Sequence, residues 1–228
     1  MRRLFIIKAG TTFPNTARQW GDFDLWTLNG LQLSSSEVEV VDVAAGSPLP
    51  DAKACSGVVV TGSHAMVTDN LPWSEATAAW IPSLIAAEVP FLGICYGHQL
   101  LAQAMGGRVG FHPGGEEIGT VDIHLLPNSR TDPLFCSLPS PFKAHATHSQ
   151  TVLSLPPGAV CLASNSFEPH HAFRLGSCAW GVQFHPEYDR KIMESYVVEQ
   201  TEELAAAGHS IPELLRTIAD TPEAATIL

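Results

Sequence analysis

The sequence predicts an α/β fold built on an open, doubly wound, mostly parallel sheet, with an antiparallel strand addition and C-terminal helices. Three observations carry this. Short apolar runs recur at 3–9, 38–43, 57–61 and 90–94. They are rich in β-branched residues and apolar on both faces, as suits parallel strands covered by helices. Segments able to cross over as helices lie between them, and strand–helix alternation is the signature of a doubly wound sheet. Beyond residue 107 the pattern changes to strands joined by short Pro/Gly turns.

The elements follow in order. Arg3–Ala9 is a first strand, bounded by Gly10. Asn15–Gly30 reads as one crossover helix, and Val38–Val43 (VEVVDV) as the second strand. Gly57–Thr61 (GVVVT) is the third. Trp73–Glu88 is the clearest helix, opened by Pro72, where a missing N–H costs nothing, and expected to kink or break at Pro82. Pro90–Ile94 leads into a helix that continues through Leu100–Met105 and ends at Gly106-Gly107. The antiparallel addition comprises Ile118–Leu126, Val160–Ala163, His171–Leu175 and Cys178–Phe184. Asp189–Ala207 is an amphipathic helix and Ile211–Ala219 a short one. No repeat or interdomain linker interrupts residues 1–228, so one domain is expected.

Composition narrows the function. The chain is 45% hydrophobic, ample for a core, and carries 12 basic against 23 acidic side chains, a net charge of −11. That balance disfavours nucleic acid or an anionic membrane as partner. Five cysteines are scattered without CxxC spacing and do not read as a disulfide framework. The apolar run at the start stops at Lys8, too short for a signal-peptide core, and no stretch approaches a membrane span. A cytoplasmic location is the expectation. Ten histidines occur with no HExxH or paired Cys/His spacing, so neither metal nor other cofactor is expected. The tryptophans at 20, 26, 73 and 80 occupy helix-like positions and read as core.

The chemistry concentrates in Val89–Gly107, VPFLGICYGHQLLAQAMGG. A Gly93-Ile94-Cys95-Tyr96-Gly97 turn between strand and helix forces its central residue into a strained conformation, and the flanking glycines relieve the crowding. Cys95 is lifted to the carboxyl end of the sheet at a helix N-terminus, where the dipole favours a thiolate. The Tyr96 N–H would face an oxyanion formed beside the sulfur. A thiolate needs a proton carrier, and the carrier an orienting acceptor. Trp180–Tyr188, WGVQFHPEY, supplies both. Residues i and i+2 of an extended chain share a side, so Glu187 can reach His185, and Pro186 ends the strand there. His98, one turn beyond Cys95, reads as a packing or capping residue.

GICYGHQLLAQAMGG followed about ninety residues later by GVQFHPE resembles the class I, triad-type glutamine amidotransferases, and in particular the glutaminase part of GMP synthase and its stand-alone relatives. The resemblance covers roughly residues 1–190 and implies a flavodoxin-like fold. It implies that Cys95 is the nucleophile, His185 the general base and acid, Glu187 the orienting carboxylate, and Gln99 a holder of the bound glutamine. A second oxyanion donor would come from Gly62 or Ser63, in a turn where the family's usual Gly-Gly-Pro is replaced by Gly62-Ser63-His64. Thr147-His148-Ser149-Gln150 resembles the substrate-binding turn, often Ser-His-Gly-Asp, with Ser149 and Gln150 departing from it.

Three functions compete. The first is a glutaminase that releases ammonia from glutamine for a separate synthase subunit. No GxxxxGK[ST] phosphate loop is present, and 228 residues leave no room for an ATP-using domain. The second is an autonomous hydrolase of another γ-glutamyl compound using the same triad. The third, disfavoured by an intact Cys–His–Glu set, is a non-catalytic regulatory subunit.

Overall fold

The computed structural model describes residues 2–228. Its first half alternates as expected: β1 (Arg3–Lys8), α1 (Pro14–Trp20), α2 (Phe23–Gly30), β2 (Val38–Asp42), β3 (Cys55–Val60), α3 (Pro72–Ala86), β4 (Phe91–Ile94) and α4 (Tyr96–Ala104). Seven strands follow: β5 (Arg108–Phe111), β6 (Glu117–Leu125), β7 (Phe142–His148), β8 (Gln150–Ser154), β9 (Ala159–Ser164), β10 (Ala172–Leu175) and β11 (Ala179–Val182). Four helices close the chain: α5 (Arg190–Glu199), α6 (Thr201–Ala206), α7 (Ile211–Thr217) and α8 (Pro222–Ala225).

Among the described residues, nine strands form one sheet in the order β2-β1-β3-β4-β11-β10-β9-β6-β7. The first five run parallel, and the rest are antiparallel. Strands β5 and β8 pair separately as a small antiparallel ribbon. One expectation needs correction here. Cys178–Phe184 was grouped with the antiparallel addition, yet β11 lies parallel to β4 on one side and antiparallel to β10 on the other. It is the seam between the two halves, and it brings the end of WGVQF beside the end of FLGI.

Other elements differ locally. Asn15–Gly30 is two helices, because Gly21 adopts a positive φ of 85° and Asp22 caps the second through its carboxylate. Helix α3 runs unbroken through Pro82; Ile81 and Leu84 beside it are fully buried, each contributing about 1.5–3 kcal/mol, enough to offset the lost ladder bond. Asp189–Ala207 is interrupted at Gln200. Strands β5, β7 and β8 went unpredicted. Trp20 is exposed and lies under Lys191, 5.3 Å from its ring, whereas Trp26 is core.

The apolar strand faces make two clusters, one against α3 and α4, the other on the opposite face with α8. A third, with Phe23, Tyr188, Met193 and Tyr196, packs α2 and α5 next to the carboxyl ends of the parallel strands. No helix among the described residues is long and apolar enough to cross a membrane.

Candidate active site

Cys95 sits where β4 turns into α4, with φ 49° and ψ −97°, a conformation strained for a residue with a side chain. Its flanking glycines are there for space. A Cβ on Gly93 would lie 2.3 Å from the Gly97 carbonyl oxygen, and one on Gly97 would lie 2.4 Å from the Val60 carbonyl oxygen. The elbow is therefore backbone packed on backbone, and only glycine fits either position. Tyr96 opens α4, so its N–H is one of the helix's orphan donors beside the sulfur. Its hydroxyl pairs with Ser74 Oγ within the core.

The β4–β11 pairing delivers the histidine. Gly93 pairs with Gly181 and Ile94 with Val182, and the Cys95 N–H donates to the Val182 carbonyl at 2.8 Å. Three residues on, the His185 N–H donates to the His145 carbonyl, 2.8 Å away on β7, so two strands fix the backbone of His185. Its Nδ1 donates to Glu187 Oε1 at 2.8 Å, and the Tyr188 ring stacks on it at 4.0 Å. That leaves Nε2, buried and without a partner in the chain, for Cys95. Burial alone would push His185 down, but the charges of Glu187 and Cys95 outweigh it and raise the imidazole to about 10. The histidine is held protonated next to the sulfur.

Gly62 closes this side. A Cβ there would meet the His185 ring at 3.0 Å and the Phe23 ring at 3.2 Å. Ser63 lines the same cavity, and its Oγ accepts from the Ala65 N–H. The cavity measures about 340 Å³, within the range of small-molecule sites. Cys95, Tyr96, Gln99, His148, Ser149, Gln150 and His185 all line it. Gly62 and Glu187 stand behind this wall, each touching His185.

His98 is not brought to the cavity. It is fully buried against Phe173, with ring centroids 4.9 Å apart, and both ring nitrogens lack a partner. Burial lowers its pKa to about 3, so it is neutral. It packs and does not cap.

The 147–150 segment also needs correction. It is not a turn but a junction, with Thr147–His148 ending β7, Ser149 between, and Gln150 beginning β8. His148 Nδ1 faces the Gln150 carbonyl at 3.0 Å and its Nε2 faces Glu117 Oε2 at 3.1 Å. Glu117 is buried, which raises a carboxyl, yet His148, His171 and Asn165 hold it well below the usual carboxylate range. Gln99 Nε2 donates to the same Gln150 carbonyl at 2.7 Å and to Gln183 Oε1 at 3.0 Å. Thus α4, β6, β7, β8 and the end of β11 are tied together under the cavity floor.

Sequence reading missed Glu117, Gln183 and Tyr188. Gln183 and Tyr188 lie within the histidine motif, so inspection of its other positions could have found them. Glu117 has no local signal, being 31 residues from His148. His64 bonds to Tyr196 Oη through Nε2 at 3.2 Å and stacks near Phe13, walling the cavity on the His185 side. No group of three or more His, Cys, Asp or Glu among the described residues is arranged to hold a metal ion.

The glutamine amidotransferase class-I family profile matches residues 25–202. The chain belongs to the class I glutamine amidotransferase family. It is 34% identical over 163 residues to the glutamine-hydrolysing GMP synthase of Aeropyrum pernix, covering 68% of this chain and 29% of that one. To the enzyme of the same name from Thermus thermophilus it is 36% identical over 144 residues, covering 60% and 28%. The chain thus spans less than a third of the length of these relatives. Among solved structures, a glutamine amidotransferase from Methylobacillus flagellatus superposes with a TM-score of 0.77 at 27% identity, covering 100% of this chain and 90% of that one. One from Thermotoga maritima shares the fold with a TM-score of 0.75 at 22% identity, covering 95% and 90%.

Proposed function

We propose that this amidotransferase chain is a single glutaminase domain that hydrolyses the side-chain amide of glutamine through a thioester on Cys95 and passes the ammonia to a separate synthase subunit. One observation carries the reading. The β4–β11 pairing sets a histidine, oriented by Glu187 at 2.8 Å and with a free buried Nε2, beside a cysteine on a strained elbow. Ion-paired thiolate and imidazolium are what amide cleavage needs.

Cys95 Sγ attacks the amide carbon, forming the S–C bond. The carbonyl oxygen takes the electron pair and is met by the Tyr96 N–H and an N–H of the Gly62–Ser63 segment. Collapse breaks the C–N bond as His185 Nε2 gives its proton to the departing nitrogen. Water then adds to the thioester, His185 takes a proton from it, and the thiolate leaves. The products are glutamate and ammonia. Glu187 carries no proton in this scheme; it fixes the imidazole tautomer and stabilises its charged form.

The synthase partner is inferred from the GMP synthases, whose names include glutamine hydrolysis and of which this chain matches less than a third. The test is ammonia release from glutamine by the purified chain, with mass spectrometry after a glutamine-like diazoketone. The reading requires measurable release and one adduct, on Cys95. An adduct mainly on Cys55, Cys136, Cys161 or Cys178 would sink it.

A further inference from the structure

Glu117 opens β6 and Glu116 immediately precedes it, and the two have opposite fates. Glu117 is consumed by the buried network, while Glu116 next to it lines the cavity, half-buried, without a hydrogen bond or ion pair. Burial, above all, and the nearby carboxylate of Glu203 raise its pKa. His209 and His148 only partly oppose this, and a half-buried carboxylate that makes neither a hydrogen bond nor an ion pair is incomplete. No Lys or Arg lines the cavity. A second group is incomplete in the same place: Gln150, 1% exposed and also lining the cavity, gives its amide N–H to Thr68 Oγ1, and its Oε1 has no partner. Two acceptors thus lack a donor.

The side of the cavity says which part of the substrate supplies it. The leaving nitrogen must lie within reach of His185 Nε2, on the wall shared with Gly62, Phe23 and His64. The acyl part therefore extends the other way, toward Gln99 and 148–150, and Glu116 lines the same cavity as His148. We propose that Glu116, together with the side-chain carbonyl of Gln150, binds the α-ammonium group of the γ-glutamyl substrate and so selects substrates that carry one. Resting on the amide-hydrolase reading above, the assignment makes Glu116 a specificity-determining residue.

The test compares glutamine with glutaramic acid, the same amide lacking the α-ammonium, on the full chain. The wild type favours glutamine in kcat/KM, and Glu116→Gln loses about 10- to 100-fold of that preference, the scale of a hydrogen bond to a charged group. The loss falls on KM for glutamine, with kcat within threefold and glutaramic acid turned over as before. Glu116→Asp, which keeps the charge, restores part of the preference, and matching thermal midpoints certify that both variants fold. An unchanged preference in Glu116→Gln, or a loss confined to kcat, overturns the assignment while leaving the glutaminase reading intact. If the wild type hydrolyses neither amide, the glutaminase reading fails and takes this one with it.

Discussion

The five parallel strands and the antiparallel strands beyond β11 divide the candidate site between them in different ways. The parallel half contributes groups set by short-range geometry, with Cys95 on an elbow and His185 two residues from Glu187. The antiparallel half contributes groups set by long-range pairing, with Glu117 to His148 across 31 residues and Gln99 to the Gln150 carbonyl across 51. One side places the atoms proposed to react. The other places the floor they stand on. In such a division, damage to the parallel half removes chemistry, and damage to the antiparallel half loosens binding and stability.

The sharpest test lies in the parallel half. Cys95→Ala should lower glutamine hydrolysis by at least about 10⁴-fold, since members of such a set act as a unit. His185→Asn should lose about 10² to 10⁴-fold. His98→Asn, a residue as near in sequence but buried away from the cavity, should cost far less in kcat. Equal losses at the two histidines, in steady-state ammonia release, would break the comparison. Gly97→Ala probes the elbow without touching a reacting atom. The new Cβ would lie 2.4 Å from the Val60 carbonyl oxygen, so β3 or α4 must shift. Loss of kcat with several kcal/mol of stability is expected, read by kinetics and urea melts.

The antiparallel half should respond differently. Glu117→Ala leaves the buried His148 ring and the Asn165 amide without their acceptor, at a cost of about 1–3 kcal/mol for each orphaned group. Glu117→Gln keeps an acceptor and should cost less, about 1–3 kcal/mol. With the 148–150 junction loosened, KM for glutamine should rise more than kcat falls. A variant with wild-type KM but greatly reduced kcat would mean that Glu117 acts on the chemistry, and the division between the halves would fail.

The same division explains what could be read from the sequence. Elements of the parallel half announce themselves by continuous apolar runs such as Ile6–Ile7 and Val58–Val60, and the elbow by glycines whose reason is local crowding. Strand β7, FKAHATH, carries buried histidines where apolar residues would have marked it, because His145, through Nδ1, and His148 bond to distant partners rather than being excluded from the core. For the same cause 147–150 looks like a polar turn. The seam strand β11 is legible as a strand, but its parallel pairing with β4 is not. Its register with β4 depends on topology, which no local pattern encodes.

Stability against pH offers the mildest test, because each side of neutrality depends on different buried groups. His98, in the parallel half, and His145, in the antiparallel half, have pKa values lowered by burial to about 3 and about 4. The unfolded chain binds a proton at each near 6.5 while the folded one does not. Their contribution is whole above 6.5 and is lost as pH falls through that window. His185 is the reverse: raised to about 10, its contribution is whole below 6.5 and is lost as pH climbs toward 10. Stability should therefore peak near neutral pH. A single fully shifted histidine contributes a slope of about 1.4 kcal/mol per pH unit within its window. Replacing His98 with Gln removes one titrating group and keeps a polar side chain, so the pH slope of the unfolding free energy from urea melts between pH 4 and 6.5 should flatten by about 1 kcal/mol per unit. The alkaline limb should not change. His185→Asn should do the opposite, flattening only the limb above 6.5. If His98→Gln alters both limbs, its ring is coupled to the Cys95–His185 pair, and the two limbs do not report separate groups.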